Sequence, residues 1–191
     1  SNQFDYLAME NQKSSYIWHP FTQMKTAAPP IHIAKAKGCT LFDENGNTYI
    51  DAVSSWWVNI HGHANEVIAN RIAQQAKELE HVIFAGFTHT PAIRLSEQLI
   101  SILPDHFAKV FFSDDGSTSV EVAIKMAIQY WHNKGFVHKK KIIALEGAYH
   151  GDTFGAMSVG ERGAFNEPFQ PLLFEVIHIP LPNDHNIASV K

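Results

Sequence analysis

The residues best suited to chemistry form a short polar turn after residues 109–112, a mostly apolar segment that predicts a strand. Gly116 lets the backbone come close to a bound anion, and Ser117 adds a hydroxyl donor. A helix that begins at this turn presents unpaired backbone N–H groups and the positive end of its dipole, which favours phosphate binding. The turn therefore predicts a phosphate site. The alternative is an ordinary helix start, because Thr118 and Glu121 have the spacing of a capping box.

A second group of polar residues follows the apolar segment 141–145, which predicts a buried strand. Tyr149 offers a flat face for stacking and a hydroxyl for hydrogen bonding, while Asp152 is suited to orient a neighbouring group or to cap the next helix. In open α/β sheets, ligands bind beyond the carboxyl ends of the strands. A phosphate site at one strand end and an aromatic face at the next predict a phosphorylated aromatic ligand.

The elements that position these residues follow from turn chemistry and hydrophobic periodicity. From residue 109 onward strands and helices alternate, which is typical of a parallel sheet. A small β-rich N-terminal segment is thus predicted to precede a larger α/β domain. Its predicted elements are strands at residues 31–36, 40–42 and 48–51, a hairpin turn at 43–47, and helices at 65–79 and 91–103.

Composition sets wider limits. A chain of 191 residues with 45% hydrophobic content predicts a sizeable core. A net charge of −4 without a basic cluster argues against nucleic acid and anionic membrane surfaces as partners. No apolar run approaches the length of a membrane helix and no signal peptide is evident, so we expect no membrane association. The single Cys39 excludes an internal disulfide and fits a reducing cytoplasm. His61 and His63 lack further ligands at zinc-like spacing, so we predict no metal site.

The polar turn with residues 120–125, and the run Tyr-His-Gly-Asp-Thr at 149–153, resemble the class III, pyridoxal-phosphate-dependent aminotransferases. The resemblance extends in order from about residue 17 to residue 159 and narrows to the branch of that family that acts in biotin biosynthesis. The runs that narrow it are Trp-His-Pro-Phe-Thr-Gln-Met at 18–24, Ser-Ser-Trp-Trp at 54–57, His-Gly-His at 61–63, Thr-His-Thr-Pro-Ala at 88–92 and Gly-Ala-Met-Ser-Val at 155–159.

This resemblance implies an α/β fold of the fold-type I transferases, with a mostly parallel sheet, flanking helices and a small β-rich N-terminal segment. Residues 1–60 would be the N-terminal segment of the small domain, and residues 61–191 the N-terminal part of the large cofactor-binding domain. The implied reaction moves an amino group from S-adenosylmethionine to 8-amino-7-oxononanoate and gives 7,8-diaminononanoate. The implied enzyme is a cytoplasmic homodimer.

For the cofactor, the resemblance implies that Gly116 and Ser117 bind the phosphate of pyridoxal phosphate and that Tyr149 stacks on its ring. The family holds the cofactor through a Schiff-base lysine that lies further along the chain than the Tyr-His-Gly-Asp-Thr run. No segment here resembles the one that carries this lysine, and Lys125 is expected on a helix surface. We therefore expect an N-terminal fragment that contains no catalytic lysine and has no activity alone.

For the substrates, the resemblance implies that Trp56 and Tyr149 contact the substrate, with Asp152 beside them, Phe21 at the pocket mouth and Trp57 in a packing role. Several family members have tyrosine where Phe21 stands. A phenylalanine ring stacks but donates no hydrogen bond, which leaves the amino donor open between S-adenosylmethionine and lysine. Two alternatives to the main interpretation are another class III aminotransferase, acting on an ω-amino acid, and a non-catalytic fragment or binding module.

Overall fold

The computed structural model describes residues 16–182, which belong to two compact units that divide in sequence between Thr88 and His89. The domain boundary that we predict after residue 60 refers to the domains of the family fold and stays a prediction. In the first unit, three short strands form an antiparallel sheet of order β1–β2–β3, as the sequence predicts. Their bounds are Ile33–Lys37 for β1, Thr40–Asp43 for β2 and Thr48–Ile50 for β3.

The turn between β2 and β3 is held by the carboxylate of Asp43. Its Oδ1 accepts the backbone N–H groups of Asn45 and Asn47 at 2.9 and 2.8 Å, and its Oδ2 accepts from the Asn47 amide and from the Tyr49 hydroxyl. These hydrogen bonds, the Asn47 side chain first, lower the pKa of Asp43. Gly46 supplies the positive φ of 83° that the tight turn requires. The predicted hairpin turn is confirmed.

Two helical segments follow in the first unit. The segment α1, Ser54–Trp57, is a single helical turn with positive φ angles. Its residues belong to the candidate site. The helix α2, Glu66–Glu78, begins after Asn65, whose side chain accepts the N–H groups of the second and third helical residues. Because periodicity and a capping residue both mark this segment, the helix predicted at 65–79 is confirmed.

The second unit begins with α3, Thr90–Ile102, which confirms the helix predicted at 91–103 and carries proline in its first turn. The strands β4 and β5 pair in parallel, with Ile143 opposite Ile177, which agrees with the parallel sheet predicted for this region. The remaining elements of this unit are α4 at Gly116–Asn133, β4 at Ile143–Leu145, α5 at Phe154–Val159, a 3-10 helix at Glu167–Leu172, and β5 at Ile177–Ile179.

Two predictions about the second unit are wrong. Residues 109–112 do not form a strand of either sheet in the described residues. A strand is stabilised by hydrogen bonds to a neighbouring strand, and an apolar sequence alone does not determine whether that pairing forms. The predicted buried strand at 141–145 exists as β4, but Ile143 is exposed because nothing in the described part of the chain covers it.

The predicted sizeable core is also not found. Among the described residues, the buried hydrophobic side chains are Ala156, Met157 and Val159, all on α5. Many large apolar side chains of both units are exposed instead, including several tryptophans and phenylalanines. A surface of this kind marks places that another chain or chain segment covers. No helix within residues 16–182 is long and apolar enough to cross a membrane.

Candidate functional site

The N-terminus of α4 is shaped by a capping box that lies three residues earlier than the predicted one. Asp115 Oδ1 accepts the Thr118 N–H at 2.8 Å, and Thr118 Oγ1 accepts the Asp115 N–H at 3.1 Å. The alternative of a capping box between Thr118 and Glu121 is therefore wrong in its position. The N–H groups of Gly116 and Ser117, the first two of the helix, find no acceptor within the described residues. Two free donors at the positive end of an 18-residue helix favour an anion.

Ser117 packs directly on the loop that carries the second predicted motif. A Cβ at Gly151 would lie 1.9 Å from Ser117 Oγ and 2.9 Å from Ser117 Cα, and the φ of Gly151 is +123°. A residue with a side chain cannot occupy this position without displacing the helix N-terminus. The structure thus brings the predicted phosphate turn and the Tyr149 loop together within the second unit.

Tyr149 presents a free ring face and a fixed hydroxyl. The side chain is 76% exposed, and its hydroxyl donates to Asp152 Oδ2 at 2.9 Å. This hydrogen bond to a carboxylate raises the pKa of Tyr149 above its ordinary 10.0, with burial and the charge of Asp152 adding to the effect. The phenol therefore stays protonated at neutral pH. Asp152 orients a neighbouring group, as predicted, while α5 begins after Thr153 without a side-chain cap.

Glu121, which the sequence suggests as part of a helix cap, instead links two helices of the site. Its Oε1 accepts the Thr153 hydroxyl at 2.7 Å and the Gly155 N–H at 2.6 Å, so it ties α4 to the start of α5. A Cβ at Gly155 would lie 2.3 Å from Glu121 Oε2, which explains a glycine there. The sequence carries no signal for this link, because the partners lie more than thirty positions apart.

The residues at this helix end fit the phosphate of a pyridoxal phosphate. No heavy atom lies within 4 Å of the position that a Cβ would take on Gly116, so the space in front of the helix is open. Two backbone N–H groups and the Ser117 hydroxyl border that space, and the exposed face of Tyr149 follows in the neighbouring loop. Donors of this kind match a dianionic phosphate, and the ring face matches a flat heterocycle.

In the first unit, the predicted substrate-binding residues Phe21 and Trp56 stack on each other. Their ring centroids are 6.0 Å apart and the planes differ by 2°, while Trp57 meets Trp56 edge-on. Phe21 and Trp56 are 86% and 66% exposed. Both also have left-handed backbones, with φ of 51° and 67°. Non-glycine residues in this region are strained, and such strain concentrates at ligand-binding sites.

The turn α1 is left-handed throughout: Ser54, Ser55, Trp56 and Trp57 have φ of 50°, 48°, 67° and 69°. A left-handed turn of L-residues costs about 1–2 kcal/mol per residue, or roughly 4–8 kcal/mol for four. The surrounding hydrogen bonds must offset this cost. Asp51 Oδ1 accepts the Ser55 N–H at 2.9 Å, and Asp51 Oδ2 accepts the Ser55 hydroxyl at 2.7 Å.

His63 completes the support of this turn. Its Nε2 lies 2.7 Å from Asp51 Oδ2, and the side chains of Asp51 and His63 are 6% and 16% exposed. The Ser55 backbone N–H, the His63 ring and the Ser55 hydroxyl lower the pKa of Asp51 from 3.8 to about 2. Two backbone hydrogen bonds with Gly38 fix His63, and the Asp51 N–H donates to the Cys39 carbonyl at 2.8 Å. The sequence shows His63 as part of the His-Gly-His run and as a metal-ligand candidate without further ligands, and its contact with Asp51 was not predicted.

A buried side-chain nitrogen in the described part of the first unit, His19 Nε2, has no hydrogen-bond partner there. Buried polar atoms in folded proteins almost always have a partner. Because His19 lies two residues before Phe21, we expect a ligand or a group outside the described residues to complete this part of the site.

The predicted site residues are therefore distributed over both units. Phe21 and Trp56 lie together in the first, and the predicted cofactor-binding residues lie together in the second. An α/β unit in which a helix end with free N–H donors lies beside an aromatic loop is typical of pyridoxal-phosphate transferases. Residues 22–190 match the family described as aminotransferase class-III, and the chain belongs to this family.

Named relatives agree with this assignment. The chain is 57% identical over 167 residues to the adenosylmethionine-8-amino-7-oxononanoate aminotransferase of Synechococcus elongatus, covering 87% of this chain and 39% of that protein. The Staphylococcus aureus protein of the same name is 45% identical over 180 residues. The chain spans about 40% of the length of these relatives.

Solved structures show the same fold. The adenosylmethionine-8-amino-7-oxononanoate aminotransferase of Methanocaldococcus jannaschii superposes with a TM-score of 0.81 at 44% identity, over 88% of this chain and 39% of that chain. An amine transaminase from an uncultivated Pseudomonas species, solved in its PLP-bound form, superposes with a TM-score of 0.76 at 31% identity, over 91% of this chain and 41% of that chain. The predicted fold-type I transferase architecture is confirmed.

Proposed function

We propose that the protein to which this chain belongs converts 8-amino-7-oxononanoate to 7,8-diaminononanoate in biotin biosynthesis, with pyridoxal phosphate as cofactor and S-adenosylmethionine as amino donor. The observation that carries the proposal is 57% identity, over 87% of the chain, to a relative whose name states this donor and acceptor. The alternative of a non-catalytic binding module has no comparable support.

The residues of the second unit would bind and orient the cofactor. Pyridoxal phosphate, when bound, supplies the electron-withdrawing ring that amino-group transfer requires. The N–H groups of Gly116 and Ser117 and the Ser117 hydroxyl would hold its phosphate. The exposed face of Tyr149 would pack on the ring, and Asp152 would keep the Tyr149 hydroxyl in one direction.

The aromatic pair of the first unit would bind the substrates. Trp56 offers an apolar face to the aliphatic chain of 8-amino-7-oxononanoate, and Phe21 stacks parallel to it. A phenylalanine ring also stacks on the adenine of S-adenosylmethionine, although it donates no hydrogen bond. A missing hydrogen bond costs about 1–3 kcal/mol, which shifts a preference among donors without forbidding one. S-adenosylmethionine is therefore our choice of donor over lysine.

We also propose a homodimer in the cytoplasm. The exposed apolar side chains of both units support burial against further protein, and a second copy of the enzyme would supply part of it. Small-molecule substrates agree with an acidic chain of net charge −4.

The test is product formation by the intact protein. With 8-amino-7-oxononanoate and S-adenosylmethionine, we expect 7,8-diaminononanoate by mass spectrometry. Product with lysine alone would correct the donor and leave the acceptor in place. If neither donor yields product while an ω-amino acid transaminates pyruvate, the proposal is wrong and the other class III activity applies.

A matched pair of variants tests the substrate pocket. Trp56→Phe should raise the KM for the ketone, because it removes part of the apolar face that contacts the substrate chain. Trp57→Phe is the control, since Trp57 is assigned to packing. Equal KM values for the two variants would contradict the role of Trp56.

A further inference from the structure

The strongest unexplained feature of the first unit is the support beneath the turn α1. Asp51 is nearly buried, its two oxygens accept three hydrogen bonds, and the backbone turn that it holds is left-handed at four successive residues. Such a turn relaxes unless its surroundings hold it. The turn also has the backbone hydrogen bonds of the Trp57 N–H to the Val53 carbonyl at 2.8 Å and of the Asn59 N–H to the Ser54 carbonyl at 3.0 Å. Asp51 supplies the side-chain hydrogen bonds to Ser55, the residue that precedes Trp56.

We infer that Asp51 is a positioning residue for substrate recognition, which together with His63 and Ser55 holds the left-handed turn and thereby sets the direction of the Trp56 ring. The inference rests on the proposed function for the role of Trp56 in the pocket. Two of these residues are themselves held by the connection between β1 and β2: Asp51 through the Cys39 carbonyl, and His63 through two hydrogen bonds to Gly38. A Cβ at Gly62 would lie 3.1 Å from Gly38 Cα, so the His63 loop is seated closely on the hairpin.

A nucleophilic role for the same residues does not fit the geometry. In a Ser-His-Asp triad, one imidazole nitrogen accepts the serine proton and the other donates to the carboxylate. Here the same atom, His63 Nε2, faces both Asp51 Oδ2 at 2.7 Å and Ser55 Oγ at 3.4 Å. A carboxylate accepts hydrogen bonds and donates none, so Nε2 carries the hydrogen and has no lone pair for the serine. The Ser55 hydroxyl donates to the same carboxylate, so these hydrogen bonds stabilise the conformation of the turn and do not activate the serine.

The test uses the intact aminotransferase with the variant Asp51→Asn. An amide at this position places a donor where Oδ2 accepts from Ser55 and His63. We expect the KM for the ketone to rise about tenfold to a hundredfold, as the loss of charge-assisted hydrogen bonds predicts. We also expect a change in the near-ultraviolet circular dichroism of the tryptophans without any ligand present. That spectral change must be absent in the Trp56→Phe background.

Asp43→Asn is the matched control. Asp43 is the last residue of β2 and holds a turn with four hydrogen bonds, none of them to α1. Loss of stability alone would affect both variants similarly. The inference is overturned if Asp51→Asn alters KM and the dichroism no more than Asp43→Asn does. It is also overturned if the KM effect persists in full in the Trp56→Phe background, since Asp51 then acts through another group.

Two milder variants keep the test decisive if Asp51→Asn does not fold. His63→Gln keeps an N–H donor at similar reach, whereas His63→Ala removes it, so the inference requires the dichroism to be preserved in the first and changed in the second. Equal spectra contradict it. If the dichroism follows this order but Trp56→Phe leaves KM unchanged, the turn is held as inferred and the proposed substrate role of Trp56 is what fails.

Discussion

The close approach of Gly151 to Ser117 predicts that Gly151→Ala impairs cofactor binding more than protein stability alone explains. The added Cβ would lie 2.6 Å from Ser117 Cβ and 2.9 Å from Ser117 Cα, and a backbone atom cannot rotate away. The N-terminus of α4 must therefore shift. Each charge-assisted hydrogen bond lost to the phosphate costs about 1.5–3 kcal/mol, or roughly tenfold to a hundredfold in affinity. The φ of +123° adds about 1–3 kcal/mol of strain.

The assay is equilibrium dialysis of pyridoxal phosphate against the intact apoenzyme, with thermal unfolding measured in parallel. Gly135→Ala is the matched control: Gly135 also has a positive φ, +83°, but its Cβ would meet no heavy atom within 4 Å. We expect both variants to lose stability and Gly151→Ala alone to lose at least about tenfold in affinity. Equal affinities would refute the argument that Gly151 sets the position of the phosphate turn.

Three further predictions concern Ser117, Asp152 and Asp51. Ser117→Ala should weaken cofactor retention by roughly tenfold to a hundredfold, and equal loss of cofactor on dialysis would reduce Ser117 to a packing residue. Asp152→Asn should lower the pKa of Tyr149 toward its ordinary 10.0, because the carboxylate that raises it is removed; a phenol titration, with Tyr149→Phe as the blank, measures this. Asp51 has its pKa lowered to about 2, so its charge stabilises the fold above about pH 4, and that contribution is lost as the pH falls from about 4 toward 2. Thermal unfolding between pH 2 and 5 should be less pH-dependent in Asp51→Asn, and an unchanged profile would contradict this.

The sequence by itself determined the local elements and the family. The hairpin turn at Asp43, the helix capped by Asn65 and the helix of the phosphate turn all depend on residues a few positions apart, and turn chemistry and periodicity report such contacts directly. The class III assignment likewise followed from contiguous motifs. The position of the capping box was wrong by three residues, because Asp115 and Thr118 both have side chains able to cap.

The tertiary structure decided the contacts between distant parts of the chain. Glu121 meets Thr153 across 32 positions, and Asp51 meets His63 across 12, so no local pattern distinguishes these carboxylates from helix caps or surface charges. Residues 109–112 are mostly apolar, as in a buried strand, yet they belong to neither sheet of the described residues, because strand formation depends on neighbours that a local pattern does not report. The left-handed turn that carries Trp56 could not be predicted from the sequence either, because no residue of Ser-Ser-Trp-Trp favours a positive φ. Its conformation comes from a buried carboxylate and a histidine held on the adjoining sheet.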